Sequence, residues 1–193
     1  MFQAENCSLN LPSGTVDYIR FGSRAKTLIM LPGVGDGLKT VKGMALPFAF
    51  LYRKLAKEFT VYAFSRRRVL TPGLTTREMA EDLNSAMEAL GLSAAALVGV
   101  SQGGMIAQWL AIDHPEKVDR SFEKGVANAM EILTRALQAE VGVIWLLDET
   151  GERLGAGPFE GDRLYRLRHL LPPRSRDGQG LLFLLCHRGQ RSL

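Results

Sequence analysis

The chain has 193 residues, of which 46% are hydrophobic and 23% charged, and a formal net charge of +4. That is long enough for one sizeable domain with a buried core, and the composition excludes a disordered chain. No basic stripe interleaved with aromatics points to nucleic acid, and no run approaches the roughly 20 apolar residues that span a bilayer. Residues 15–20 alternate as an early strand and turn at Gly22-Ser23. Residues 26–31 (KTLIML) form an apolar run that reads as a central strand, ending in the glycine-rich loop 32–37. A helix is predicted near residues 48–58, with Phe48, Leu51 and Leu55 as its apolar positions, then a strand over 59–64 (FTVYAF) and a basic loop over 65–68. Thr75 and Glu78 have the spacing of a capping box. The apolar stripe Met79, Leu83, Ala86, Met87, Leu90 continues that helix to a stop at Gly91.

Residues 95–100 read as a strand and 103–112 as a helix, and between them lies Gly99-Val100-Ser101-Gln102-Gly103. G-x-S-x-G between a strand and a helix is the setting of a nucleophile elbow, with the serine hydroxyl exposed on a sharp turn. The bland alternative makes Ser101 a small residue in a tight turn. The regular alternation of strand and helix predicts a mostly parallel sheet covered on both faces.

The character changes near residue 120. Six lysines and eight arginines lie in residues 1–120, whereas one lysine and nine arginines lie in 121–193. Residues 123–139 read as a helix, 141–147 as a strand, 148–151 as a hairpin-type turn, and 181–186 as a last apolar strand. Residues 155–161 and 172–180 read as loops. The expected organisation is a core over 1–120 and a divergent or recombined tail over 121–193. A tail with a fold of its own would have to form a separate antiparallel sheet.

Over residues 15–119 the chain resembles the α/β-hydrolase family. LIMLPGVGDG looks like that family's oxyanion loop, with Pro32 where a histidine is often found. TTREMAEDL precedes the nucleophile strand, GVSQGG is the elbow, and His114-Pro115-Glu116-Lys117-Val118 resembles the end of the helix after it. The resemblance implies a partial α/β-hydrolase sheet flanked by helices, with Ser101 as nucleophile and the backbone amides of Val34 and Gln102 as the oxyanion hole. Two-step acyl transfer from an ester or related small molecule to water follows, without cofactor or metal. In this family an acid and then a histidine come after the serine. Asp148 and His187, each after a predicted strand, fit that order. Asp148 also opens an ordinary turn, so the triad Ser101–Asp148–His187 stands beside a rival: a truncated or degenerate hydrolase lacking a complete triad, inert or acting as a binding module. The helix followed by VGVIWLLDETGERL looks faintly like the beginning of a GAF-type ligand-sensing domain.

Of the remaining candidates, His114 reads as a helix-end residue, and His169 sits in an arginine-rich segment. Asp36 reads as a turn residue, and Arg66-Arg67-Arg68 reads as a solvated loop. The stretch 44–51 could line an acyl pocket or belong to the core. Cys7 and Cys186 are too few and too far apart for a zinc site or disulfide framework, and residues 1–10 lack the marks of a signal peptide. These features predict a cytoplasmic protein. Oligomeric state is not legible.

Overall fold

A computed structural model describes residues 3–34, 40–119, 141–147, 154–160 and 183–187. Five strands form one sheet: β1 (Ala4–Leu11), β2 (Gly14–Phe21), β3 (Lys26–Leu31), β4 (Phe59–Arg67) and β5 (Ala96–Gly99), in the spatial order β1-β2-β4-β3-β5. The strands nearest the elbow run parallel: β3 pairs with β4 from Lys26 opposite Phe59, and with β5 from Leu28 opposite Ala96. A parallel bridge from Ala95 to Val118 continues that arrangement on the far side of β5. The antiparallel strands β1 and β2 extend the opposite edge.

Among the described residues three helices cover this sheet: α1 (Ala45–Leu51), α2 (Thr76–Ala89) and α3 (Gln102–Asp113). Successive residues of a strand face opposite sides of its sheet, so β3 builds two cores at once. Leu28 and Met30 join Val41, Ala45, Ala49, Tyr52 and Leu55 on the α1 face. Ile29 and Leu31 join Leu83, Met87, Ile106 and Leu110 under α2 and α3. Burial of each such side chain contributes about 1.5–3 kcal/mol, and both faces of β3 are filled. A run as uniformly apolar as KTLIML is therefore explained.

The capping box forms as the spacing predicts. The Thr75 hydroxyl accepts from the Glu78 amide at 3.2 Å, and the Glu78 carboxylate accepts from the Thr75 amide at 2.7 Å. Gly91 takes φ +66°, the left-handed backbone that ends helices.

Other expectations are corrected. The helix expected over 48–58 is two pieces, α1 and a three-residue turn at Leu55–Lys57. Tyr52 and Leu55 are both buried, and their spacing of three suits the tighter turn. Within α1 only Ala45 and Ala49 are buried, while Leu46 and Phe50 stand 68% and 71% exposed, so the stretch is not simply core. The basic loop 65–68 is the end of β4 and the residue after it. The polar stretch 4–11 is an edge strand. Its partly exposed side chains alternate with exposed ones, giving little of the apolar contrast by which strands are recognised.

Beyond residue 140 the described residues form an antiparallel sheet, β7-β6-β8, made of β6 (Val141–Leu147), β7 (Leu154–Glu160) and β8 (Phe183–His187). Residues 155–160, read as loop because of their glycines and Pro158, are thus an edge strand, the position in a sheet that tolerates both. The helix expected over 123–139 lies outside the described residues. Among the described residues no helix is long and apolar enough to cross a membrane.

Candidate active site

The site begins with a backbone that only a tight turn demands. Ser101 has φ +51° and ψ −118°, and among the described non-glycine residues it alone has positive φ. Such a conformation costs about 1–3 kcal/mol and persists only where its surroundings over-determine it. Here they do. The Val100 amide donates to the Leu31 carbonyl at 2.9 Å, fixing the strand end before the turn. The Gly103 amide donates to Val100 at 2.9 Å and the Gly104 amide to Ser101 at 2.8 Å, fixing the first turn of α3 after it.

Two glycines make this turn possible. A Cβ on Gly99 would stand 2.5 Å from the Gly103 carbonyl carbon and from the Gly104 nitrogen. A Cβ on Gly103 would stand 2.7 Å from the Leu31 carbonyl carbon and closer still to its oxygen. Helix α3 therefore packs backbone against backbone on the ends of β3 and β5, and Ser101 is presented, exposed, at the sheet's carboxyl end.

The first four amides of a helix have no partner within it. In α3 the turn consumes those of Gly103, Gly104 and Met105, the last donating to Ser101 at 3.4 Å. The Gln102 amide has no acceptor among the described residues. Opposite it runs the segment leaving β3. A Cβ on Gly33 would lie 3.5 Å from Ser101 Cβ, which places this segment directly beside the serine. Val34, next in the chain, is half-exposed. The geometry thus brings Ser101, Gln102 and the segment carrying Val34 together.

Arg66, at the end of β4, is the residue that sequence reasoning missed. It is 7% exposed. Its Nη2 donates to the Pro32 carbonyl at 2.7 Å and its Nε to Gln102 Oε1 at 3.3 Å. Burial pulls its guanidinium down to about 10, so it stays charged at neutral pH. Its neighbours are held differently: Arg67 forms a bidentate pair with Asp82 at 2.7 and 2.9 Å, and Arg68 pairs with Asp17 at 2.8 Å. The reading as solvated is overturned for Arg66 and Arg67, while Arg68 stands half in solvent yet is tied to a specific carboxylate. No local pattern in the sequence reveals those acceptors.

Of the three histidines, His114 and His187 are among the described residues. His114 follows α3, and twelve residues at 1.5 Å rise put it roughly 18 Å from Ser101. There it contacts Glu81 at 2.9 Å, a helix-end role. His187 ends β8, opposite Val141, the first residue of β6. Strand β8 lies against β5 and α3. Asp148, Asp36 and His169 lie outside the described residues. Asp148 is bonded to Leu147, the last residue of β6. By the β6–β8 register Leu147 is six residues from the level of His187, roughly 20 Å along the strand.

The family model for the alpha/beta hydrolase fold matches residues 26–122, half of the chain. The chain belongs to this family. RutD of Caulobacter vibrioides, which carries the name of a carbamate hydrolase, is 43% identical over 115 residues, covering 54% of this chain and 41% of that protein. The dihydrolipoyllysine-residue acetyltransferase component of the acetoin cleaving system from Cupriavidus necator is 33% identical over 103 residues, 53% of this chain and 27% of its own. The matched stretch thus spans less than half the length of these curated relatives. Among solved structures, a hydrolase from Pseudomonas aeruginosa superimposes with a TM-score of 0.50 at 25% identity, over 70% of this chain and 54% of that one. Cfl2 from Burkholderia cenocepacia gives 0.51 at 19%, over 60% and 39%.

Proposed function

We propose that this chain is a serine hydrolase acting on a small acyl substrate, an ester or the carbamate linkage in the name of its RutD relatives. Ser101 Oγ attacks the acyl carbon, and the amides of Gln102 and Val34 receive the oxyanion. A base takes the hydroxyl proton as the C–O bond forms and passes it to the leaving group. It then takes a proton from water as the acyl-enzyme is hydrolysed and returns it to Ser101 Oγ as the acyl–oxygen bond breaks. Preorganised backbone donors of this kind stabilise the transition state by several kcal/mol. The observation that carries the reading is the strained backbone of Ser101 beside an unconsumed amide at the head of α3. The order serine, acid, histidine nominates His187 as base and Asp148 as acid. The position of β8 beside β5 and α3 supports His187.

The test is covalent labelling by a fluorophosphonate in wild type, Ser101→Ala, His187→Ala and Asp148→Asn. Labelling of wild type alone among the first three establishes nucleophile and base, and the fourth reports on the acid separately. No labelling of wild type refutes the hydrolase reading.

A second reading is favoured by the β6–β8 register, which sets the residue preceding Asp148 far from His187. On this reading the core over 1–120 keeps its elbow but lacks a joined acid and base, and it serves as a binding module. The strands β7-β6-β8 hydrogen-bond as a sheet of their own, which supports reading them as an addition to that core, packed on it through β8. A complete triad would be reported by loss of labelling on both His187→Ala and Asp148→Asn.

A further inference from the structure

We propose that Arg66 is the positioning residue of the oxyanion site, tying the segment that carries Val34 to the head of α3 through the Pro32 carbonyl and the Gln102 side chain. The inference rests on the hydrolase reading above and names a residue that reading does not require. Three observations carry it.

The first is connectivity. The two donors of the proposed hole belong to segments far apart in sequence. Arg66 bonds to both, to Pro32 across 34 residues and to Gln102 across 36. Pro32 has no N–H, and the Gly33 that follows resists rotation weakly. A fork of planar donors fixed on a β-strand supplies the restraint that this backbone lacks.

The second is cost. Burying a charge is unfavourable unless it is paired and hydrogen-bonded. Arg67 and Arg68 have carboxylates, whereas among the described residues the hydrogen bonds of Arg66 end on two neutral oxygens. An apolar side chain of similar size would suit the fold as well or better. Retention of the charge there is explained by the site it adjoins.

The third is direction. A positive charge behind the hole favours an oxyanion more than a neutral carbonyl. Arg66 thereby acts on the transition state rather than on substrate binding.

The experiment compares wild type, Arg66→Met and Arg66→Lys, using the full chain. It measures the rate of fluorophosphonate labelling at Ser101, the kcat and KM for an activated ester, and the thermal midpoint. Arg66→Met is expected to lower the labelling rate and kcat by about 30- to 100-fold, consistent with the loss that follows roughly 1 Å of misplacement. KM should stay within about twofold and the midpoint should hold or rise. Arg66→Lys, which keeps the charge but not the fork, should recover part of the rate. Wild-type rates in Arg66→Met overturn the proposal alone. A rate loss that tracks a fallen midpoint, with kcat and KM changing together, overturns it in favour of a structural role. If Arg66→Met does not fold, Gln102→Met, which removes one anchor and leaves the Gln102 amide, must lower kcat at constant KM, and a wild-type kcat in it overturns the tether. Failure of wild type itself to label removes the hole that Arg66 positions, and the two readings fall together.

Discussion

Substituting Gly103 by alanine tests the elbow more severely than substituting the serine. The new Cβ would lie 2.7 Å from the Leu31 carbonyl carbon and 2.9 Å from Leu31 Cβ, where ordinary contact begins at 3.4 Å. Relief requires α3 to retreat by about 0.7 Å from that carbon, and further from the carbonyl oxygen. The same oxygen accepts the Val100 amide at 2.9 Å, so the retreat also disturbs the last rung between β3 and β5. Overpacking against backbone costs about 3 kcal/mol, and the better helix propensity of alanine returns about 1 kcal/mol. The net loss is about 2 kcal/mol, or roughly 4–8 °C in midpoint for a chain of this size. Displacement of the Gln102 amide should slow Ser101 labelling by about 100-fold. Gly91→Ala is the control. It has φ +66° and open space around it, so backbone strain of about 1 kcal/mol is its whole cost. Urea denaturation followed by tryptophan fluorescence reads both. A Gly103→Ala variant as stable as wild type, or more stable than Gly91→Ala, refutes the close approach of α3 to β3.

Three further outcomes follow from particular residues. Ser101→Gly should be about 1 kcal/mol more stable than Ser101→Ala, because glycine alone relieves the positive φ; equal urea midpoints would show that the turn is unstrained. The hydrogen bond from Arg68, aided by Ser8 and Thr40, holds the buried Asp17 carboxyl far below the usual carboxylate range. Its folded value lies under its unfolded one, near ~4, so its stabilisation is complete above that pH and is lost as pH falls through the folded value. Asp17→Asn should then cost about 2 kcal/mol at pH 7, a figure reduced because Arg68 is half in solvent, and should flatten the acid limb below about pH 4 in a pH-dependent urea series. Asp82→Ala leaves the Arg67 guanidinium buried without its carboxylate and should cost about 3–5 kcal/mol, much of it recovered in the double variant Asp82→Ala/Arg67→Met. A double-mutant cycle that shows no coupling excludes that explanation.

What the sequence reveals of this molecule follows the range of the interactions involved. Strand β3, the capping box at Thr75 and the Gly99–Gly103 turn are specified within a few residues, and each stands where its local pattern places it. Strand β1 escapes because its polar alternation carries little apolar contrast, and β7 because Gly155, Gly157 and Pro158 mimic a loop while the strand occupies a sheet edge. The arginines escape for a different reason. Charge alone reads as solvation, and the acceptors that hold these side chains lie 15 to 60 residues away, brought near only by the finished sheet. For the same reason Ser101 and Gln102 are legible as one motif, whereas their meeting with Pro32 and Gly33 is a property of the β3–β5 pairing.

The end of β4 gives three consecutive side chains three separate destinations. Arg66 serves the reactive corner, Arg67 the α2 helix through Asp82, and Arg68 the β1–β2 hairpin through Asp17 and Ser8. Asp82 also accepts from Ser13 at 2.5 Å, so hairpin and helix meet again on that carboxylate. A one-residue slip of this strand would misdirect all three arginines together. Replacing Arg67 or Arg68 therefore strands a carboxylate of the scaffold, whereas replacing Arg66 releases the Pro32 carbonyl and the Gln102 side chain.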